Sequence, residues 1–97
     1  MTERPVPERP VPQRPRLAAG VRLHFDNVRS AWVLLSPERV IQAEGPASEI
    51  LKRCDGKHSV DDIVDELAAL FTEDRAVIAQ DVIAMLEDMV TRGLLTS

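Results

Sequence analysis

Proline is concentrated at the start of the chain, and this limits most strongly what the chain can fold into. Five of the seven prolines, at positions 5, 7, 10, 12 and 15, fall within the first sixteen residues. The unit Glu-Arg-Pro-Val-Pro occupies residues 3–7 and is repeated at residues 8–12. Proline fixes φ and removes a backbone donor, so this spacing favours extended polyproline II and excludes a packed helix or a central strand. We predict a disordered Pro/Arg-rich tail or linker over residues 1–16 and one folded domain over residues 17–97.

Composition narrows the class of protein. The chain has 97 residues, of which 44% are hydrophobic and 3% aromatic, and this suits one small domain with a mainly aliphatic core. The predicted tail carries a net charge of +2 and residues 17–97 carry −6, which together give the net charge of −4. A negatively charged domain is poorly suited to binding nucleic acid. There is no apolar run of membrane-spanning length and no secretion signal, and the single cysteine, Cys54, cannot form an internal disulfide. We expect a cytoplasmic protein that binds neither membrane nor nucleic acid.

Alternating apolar and polar residues predict three short strands. Val21, Leu23 and Phe25 alternate with polar neighbours, which is the period of a half-buried strand. Residues 31–35 are an apolar run, and residues 39–43 form a third strand after a Ser-Pro turn. Because the connections are short, neighbouring strands must pair antiparallel. The prediction is a meander with the second strand in the middle and the third at an edge.

The period of the apolar residues becomes helical after residue 45 and predicts three helices. The first begins at Pro46, the second runs from an N-cap at Ser59 to about residue 71, and the third begins between residues 72 and 74 and ends at Arg92. Proline in a first turn and glycine after a last turn are the expected start and stop signals. The predicted fold class is α+β and winged-helix-like, a three-stranded antiparallel sheet followed by a three-helix bundle.

The third helix has an unusually wide apolar face made of two adjacent stripes. At 100° per residue they span roughly 160°, which is wider than the ~100° of an ordinary surface helix. The first stripe consists of Ile78, Val82, Met85 and Met89, and the second of Ala79, Ile83, Leu86 and Val90. One stripe can face the core. The other needs a cover, which could be another part of the chain, a second copy or a ligand.

No constellation of residues predicts catalysis. Cys54 and His58 are four positions apart, but Gly56 interrupts the helical spacing and no second pair of ligands follows. His24 lies on a strand with no partner at the spacing of a nucleophile or metal site. We expect no enzyme activity, no metal and no cofactor.

Three functions stay open on these grounds: a winged-helix DNA-binding module, a homodimeric interaction module and a peptide-binding domain. The two later helices carry nine acidic residues against Arg75 and Arg92, which disfavours phosphate binding. A free sheet edge beside an apolar helix stripe is suited to capture of an extended peptide. A second copy of the chain could cover the same surface.

Several blocks of residues resemble one family. They are Gly20-Val21-Arg22-Leu23, Asp26, Arg29, Trp32-Val33-Leu34-Leu35, Pro37-Glu38-Arg39-Val40, Asp55-Gly56 and the helix with Ile63-Val64-x-Glu66-Leu67. Together they look like the PqqD family of pyrroloquinoline quinone (PQQ) biosynthesis, over about residues 16–97. The first block is fairly specific, whereas the helical part would fit many small domains.

The resemblance implies a peptide chaperone, a RiPP recognition element with a winged-helix-like fold. Such a protein binds the ribosomal precursor peptide PqqA and presents it to the radical SAM enzyme PqqE, which cross-links a Glu and a Tyr side chain. In this domain type the peptide adds as a strand to the third strand, in the cleft beside the third helix. The peptide-binding residues implied here are Arg39, Val40, Ile41, Gln42, Ala43, Ala79, Ile83, Leu86 and Val90. Whether this helix stripe or the one with Val82, Met85 and Met89 faces the cleft is left open.

Overall fold

A three-stranded antiparallel sheet packs against three helices in the computed structural model, which describes residues 11–96. The strands of this sheet are β2 (Arg22–Asp26), β3 (Ala31–Leu35) and β4 (Val40–Ala43), and β3 lies between the other two. A shorter pair consists of β1 (Arg16–Leu17) and β5 (Leu95–Thr96). The helices are α1 (Pro46–Lys52), α2 (Val60–Leu70) and α3 (Arg75–Thr91). The predicted α+β fold and the predicted meander are confirmed.

Local side-chain contacts fix the two turns of the meander. The carboxylate of Asp26 accepts hydrogen bonds from the backbone N–H groups of Val28 and Arg29 at 3.0 and 3.2 Å. In the second turn the Ser36 hydroxyl accepts from the backbone N–H of Arg39 at 3.2 Å. Asp and Ser favour turns because their side chains satisfy backbone donors in this way.

The helices begin and end where the sequence signals predict. Pro46 occupies the first turn of α1. Ser59 and Asp62 form a capping box at the start of α2, an arrangement that contributes about 1 kcal/mol to helix stability. After α3, Gly93 adopts a φ of 76°, which allows the backbone N–H of Leu94 to bond back to the carbonyl of Met89 at 2.9 Å.

One hydrophobic core joins the sheet to the helices. Its central side chains are completely buried and come from all layers of the fold: Leu34 of β3, Ile63 of α2, and Val82 and Leu86 of α3. Ile50 and Leu51 of α1 close the core from a third side. The aliphatic core expected from the composition is therefore present. None of the helices formed by residues 11–96 is long and apolar enough to cross a bilayer.

Residues 11–16, the part of the predicted tail that the structure describes, pack on the body of the domain. Pro15 is completely buried, and its carbonyl accepts a hydrogen bond from the backbone N–H of Gly56 at 3.0 Å. Arg16 and Leu17 then pair with Thr96 and Leu95. The rest of the predicted tail, residues 1–10, lies outside the described residues.

Candidate functional site

The free edge of β4 is the first component of the candidate site. Within residues 11–96 this strand pairs only with β3. The backbone N–H of Ser36 bonds to the carbonyl of Arg39 at 3.0 Å, so Ser36 and Arg39 form a hydrogen-bonded pair. Antiparallel pairs alternate between bonded and non-bonded positions, and Val40 therefore belongs to a non-bonded pair.

The alternation divides the backbone groups of β4 between its two sides. Ile41 lies opposite Leu34 and bonds toward β3, as does Ala43 two residues later. Val40 and Gln42 direct their N–H and C=O groups outward, away from the sheet. Two residues of β4 thus offer main-chain donors and acceptors to an added strand.

Helix α3 and β4 pack on the same core and run in opposite directions. The end of α3 lies near the start of β4, since Arg92 and Gly93 line one depression together with Pro37 and Arg39. Asp81, in the first half of α3, lines a second depression together with Pro46, which lies three residues beyond the end of β4. The two depressions place α3 near both ends of β4, and we call the space between the strand edge and this side of the helix the cleft.

One row of α3 residues connects the two depressions. Asp81 and Arg92 lie at its two ends. Steps of four, three and four residues lead from Asp81 through Met85 and Asp88 to Arg92, so the four side chains lie on one side of the helix. We call Asp81, Met85, Asp88 and Arg92 the cleft row. Arg92 Nε is held by Asp88 Oδ2 at 3.2 Å. Met85 is half-buried and packs on the core, so it gives the row an apolar centre.

The residues predicted for peptide binding divide into three groups in the structure. Arg39, Val40, Ile41, Gln42 and Ala43 lie along the free edge, with Ala43 buried and Ile41 half-buried. Leu86 and Val90 lie in the core, with 0% and 5% of their surfaces exposed. Ala79 and Ile83 lie on the other side of α3 from the cleft row, and Ile83 lines a groove beside Val60 of α2. Peptide contact by any of these residues stays a prediction.

The two stripes of α3 differ in exposure, and which of them faces a bound peptide stays a prediction. Met85 belongs to the first stripe and is the one of its four residues that is not buried. Val82 and Met89 of the same stripe are buried in the core. The charged members of the cleft row, Asp81, Asp88 and Arg92, were missed. These residues share the spacing i, i+4, i+7, i+11 with Met85, which is the sequence pattern that could have identified them. A helical wheel that considers only apolar residues leaves charged positions out.

A charged cluster joins the loop before α2 to its first turns. The two ring nitrogens of His58 lie 3.0 Å from Asp55 Oδ2 and 2.8 Å from Glu66 Oε2. Arg53 Nε bonds to the other oxygen of Glu66 at 2.9 Å. The hydrogen bond to Asp55 raises the pKa of His58, and the same contact lowers the pKa of Asp55 to about 2. This cluster stabilises the α1–α2 connection and lies apart from the cleft.

Cys54 is a core residue. Its thiol is buried and donates to the carbonyl of Ile50 at 3.3 Å. Burial raises the pKa of the thiol to about 12, so the reactive thiolate is scarce at neutral pH.

The fold defines a class of protein: a small winged-helix-like α+β domain in which one edge of β4 has no partner strand within residues 11–96. Residues 31–95 match the family described as coenzyme PQQ synthesis protein D (PqqD). The chain belongs to the PqqD family, and the resemblance of its sequence blocks to that family is confirmed.

Relatives cover most of the chain. It is 51% identical over 75 residues to the PqqA binding protein of Rhodopseudomonas palustris (strain BisB5), covering 77% of this chain and 74% of that protein. It is 42% identical over 78 residues to the PqqA binding protein of Gluconobacter oxydans (strain 621H), covering 80% and 81%.

Two solved structures share the fold. One is the NMR structure of the PqqD truncation of Methylobacterium extorquens PqqCD, described as a functional, stand-alone RiPP recognition element, with a TM-score of 0.72, 38% identity and coverage of 86% of this chain and 88% of that one. The other is the crystal structure of PqqD from Xanthomonas campestris, with a TM-score of 0.58, 41% identity and coverage of 84% and 90%.

Proposed function

We propose that this chain binds the precursor peptide PqqA in the cleft between β4 and α3 and presents it to the radical SAM enzyme PqqE in the cytoplasm. The observation that carries the proposal is the outward direction of the backbone groups of Val40 and Gln42, which leaves the edge of β4 free for an added strand. The printed names of the relatives, PqqA binding proteins, support the choice of peptide.

Binding would proceed by strand addition. The peptide main chain exchanges hydrogen bonds with Val40 and Gln42, and such bonds provide affinity that is independent of the peptide sequence. Side chains of an added strand alternate between its two faces. Every second peptide side chain would then point toward Ile41 and Met85, both of which are half-buried against the core. The apolar contacts at these positions would select the sequence.

The role of this chain in the reaction would be to hold the substrate. In this proposal the cross-linking chemistry belongs to PqqE, and the domain supplies no reacting group. The burial of Cys54 supports this assignment, because its raised thiol pKa leaves it a poor nucleophile. An extended peptide bound along an edge keeps its far side and both ends accessible to a second protein.

An amide NMR titration with synthetic PqqA tests the proposal. We expect saturable shifts at Val40, Gln42 and Met85, and a duplex DNA fragment added as a control should cause none. Shifts confined to the Ile83 side of α3 would overturn the placement of the site. An absence of shifts at peptide concentrations well above micromolar would overturn peptide binding itself.

Presentation to PqqE needs a separate test. The rate of peptide cross-linking by PqqE should rise when this chain is added, and a variant that fails to bind the peptide should not raise it. An equal rate with and without the chain would contradict the chaperone role while leaving peptide binding intact.

A further inference from the structure

The side of α3 opposite the cleft row contains a second groove, which the proposed peptide site does not use. It has a volume of about 560 Å³ and lies between the start of α2, at Val60 and Asp61, and Ile83 and Glu87 of α3. We call it the α2–α3 groove. Its remaining wall is formed by the chain itself, at Val11, Pro12 and Gln13.

Residues 11–15, with the sequence Val-Pro-Gln-Arg-Pro, are docked on the domain at this groove, and the backbone bends at Gln13 and Arg14. Their main chain is held through carbonyl groups: Gln13 accepts from the backbone N–H of Val60 at 3.1 Å, and Pro15 accepts from that of Gly56 at 3.0 Å. The Arg14 guanidinium donates to the carbonyl of Lys57. In both main-chain hydrogen bonds the segment supplies the accepting carbonyl and not an N–H. Proline at two of its five positions therefore costs no hydrogen bond.

Each residue of the docked segment has a defined place on the domain. Val11, Pro12 and Gln13 line the groove, Arg14 bonds to Lys57, and Pro15 is completely buried. The side chain of Gln13 is exposed, and its only hydrogen bond among the described residues is made by its carbonyl. The contacts of Val11, Pro12, Arg14 and Pro15 define the pattern Val-Pro-x-Arg-Pro, in which x is the position whose side chain makes no hydrogen bond among the described residues.

The same pattern occurs a second time, immediately before the docked segment. Residues 6–10 read Val-Pro-Glu-Arg-Pro and differ from residues 11–15 only in having Glu8 where the docked copy has Gln13. The difference falls at the position whose side chain is exposed. The upstream copy therefore has the same residue types as Val11, Pro12, Arg14 and Pro15 at the corresponding positions.

We propose that the α2–α3 groove is a binding site for the sequence Val-Pro-x-Arg-Pro and that residues 6–10 are a second ligand for it, exchanging with residues 11–15 within one chain. When the upstream copy is bound, residues 11–15 form a loop between Pro10 and β1. The short connection keeps the upstream copy at high local concentration, which favours the same chain over a second molecule.

Charge sets the order of preference between the two copies. Asp61 and Glu87 line the groove, so the carboxylate of Glu8 is repelled where the neutral Gln13 is not. The downstream copy is the preferred occupant, in agreement with the docking of residues 11–15.

Hydrogen exchange in the full chain tests the exchange of copies, because the backbone N–H groups of Gly56 and Val60 report on the occupied groove. Three variants are compared with the unmodified chain: V11D/R14A in the downstream copy, V6D/R9A in the upstream copy, and all four substitutions together. We expect V6D/R9A to leave protection of the two amides unchanged, V11D/R14A to lower it by a few-fold, and the fourfold variant to lower it at least ten-fold further. Protection of β3 amides such as that of Leu34 controls for folding.

Other outcomes overturn the proposal. If V11D/R14A loses as much protection as the fourfold variant, residues 6–10 do not bind the groove. If the fourfold variant keeps full protection, the groove does not recognise Val and Arg. If the protection left in V11D/R14A rises with protein concentration, the ligand comes from a second copy of the chain and the exchange is not within one chain.

Discussion

The backbone N–H of Ser36 bonds to the carbonyl of Arg39 at 3.0 Å, and this contact determines which residues of β4 can pair with another strand. It makes Ser36 and Arg39 a bonded pair, so bonding alternates from there along the hairpin. Ile41 then faces β3 and Gln42 faces outward. A substitution that removes a single N–H therefore has different effects at neighbouring positions of this strand.

Replacing Gln42 by proline should weaken PqqA binding at least about ten-fold, which corresponds to ~1.4 kcal/mol. Proline removes the outward N–H and places its ring at the edge, while the bonds to β3 remain. Isothermal titration calorimetry measures the affinity. Gln42→Ala keeps the N–H and serves as the matched control, with affinity close to that of the unmodified chain. Equal binding by a folded Gln42→Pro variant would exclude strand addition at β4.

Met85→Glu and Ile83→Glu form a pair that decides which side of α3 the peptide contacts. The two side chains point in directions about 160° apart on the helix. Met85→Glu should weaken PqqA binding several-fold or more, because it places a charge in the apolar centre of the cleft row. Ile83→Glu should leave the affinity unchanged, because Ile83 is 41% exposed on the opposite side. The reverse result would assign the peptide to the stripe that contains Ala79 and Ile83.

Leu86→Ala should destabilise the domain by about 2–5 kcal/mol, the range for truncation of a fully buried leucine. Leu86 has 0% of its surface exposed, so its contribution is to the core. Urea unfolding followed by the fluorescence of Trp32 measures the change. Ile83→Ala, at an exposed position of the same helix, is the control and should cost much less. A stable Leu86→Ala variant that binds PqqA poorly would show that Leu86 belongs to the peptide site.

The stability of the domain should fall as the pH rises above about 6.5, the unperturbed pKa of histidine. The contacts with Asp55 and Glu66 raise the pKa of His58 in the folded state. Because the pKa of His58 is higher in the folded state than in the unfolded state, its protonated form stabilises the fold. This stabilisation is complete at pH values below the unfolded-state pKa and is lost as the pH rises through the folded-state pKa. Urea unfolding at several pH values should reveal this decline, and His58→Gln should abolish it. A decline of the same size in His58→Gln would assign the effect to another group.

The elements of the fold could be predicted because their signals are local. The alternation of Val21, Leu23 and Phe25 marks β2, and Ser59 marks the start of α2 within one residue. The pairing of β1 with β5 could not be predicted. Each strand has only two residues, which is too short to show a period, and the pairing joins the two ends of the described chain.

The candidate site could be predicted only in part. The edge position of β4 follows from the short turns, but the side of α3 beside it depends on how the helix is rotated on the core. Leu86 and Met85 are adjacent in the sequence and similar in hydrophobicity, yet one is buried in the core and the other lies in the cleft row. Likewise, the prolines predict a disordered tail, but the docking of residues 11–15 depends on Gly56 and Val60, more than forty residues further along the chain.

The buried Pro15 has a consequence for any protein that is joined ahead of this domain. The segment it anchors leaves the domain past Ile83, on the side of α3 that faces away from the cleft row. A fused neighbour would therefore be tethered behind the helix, and the peptide entrance would stay open to solvent and to a visiting enzyme.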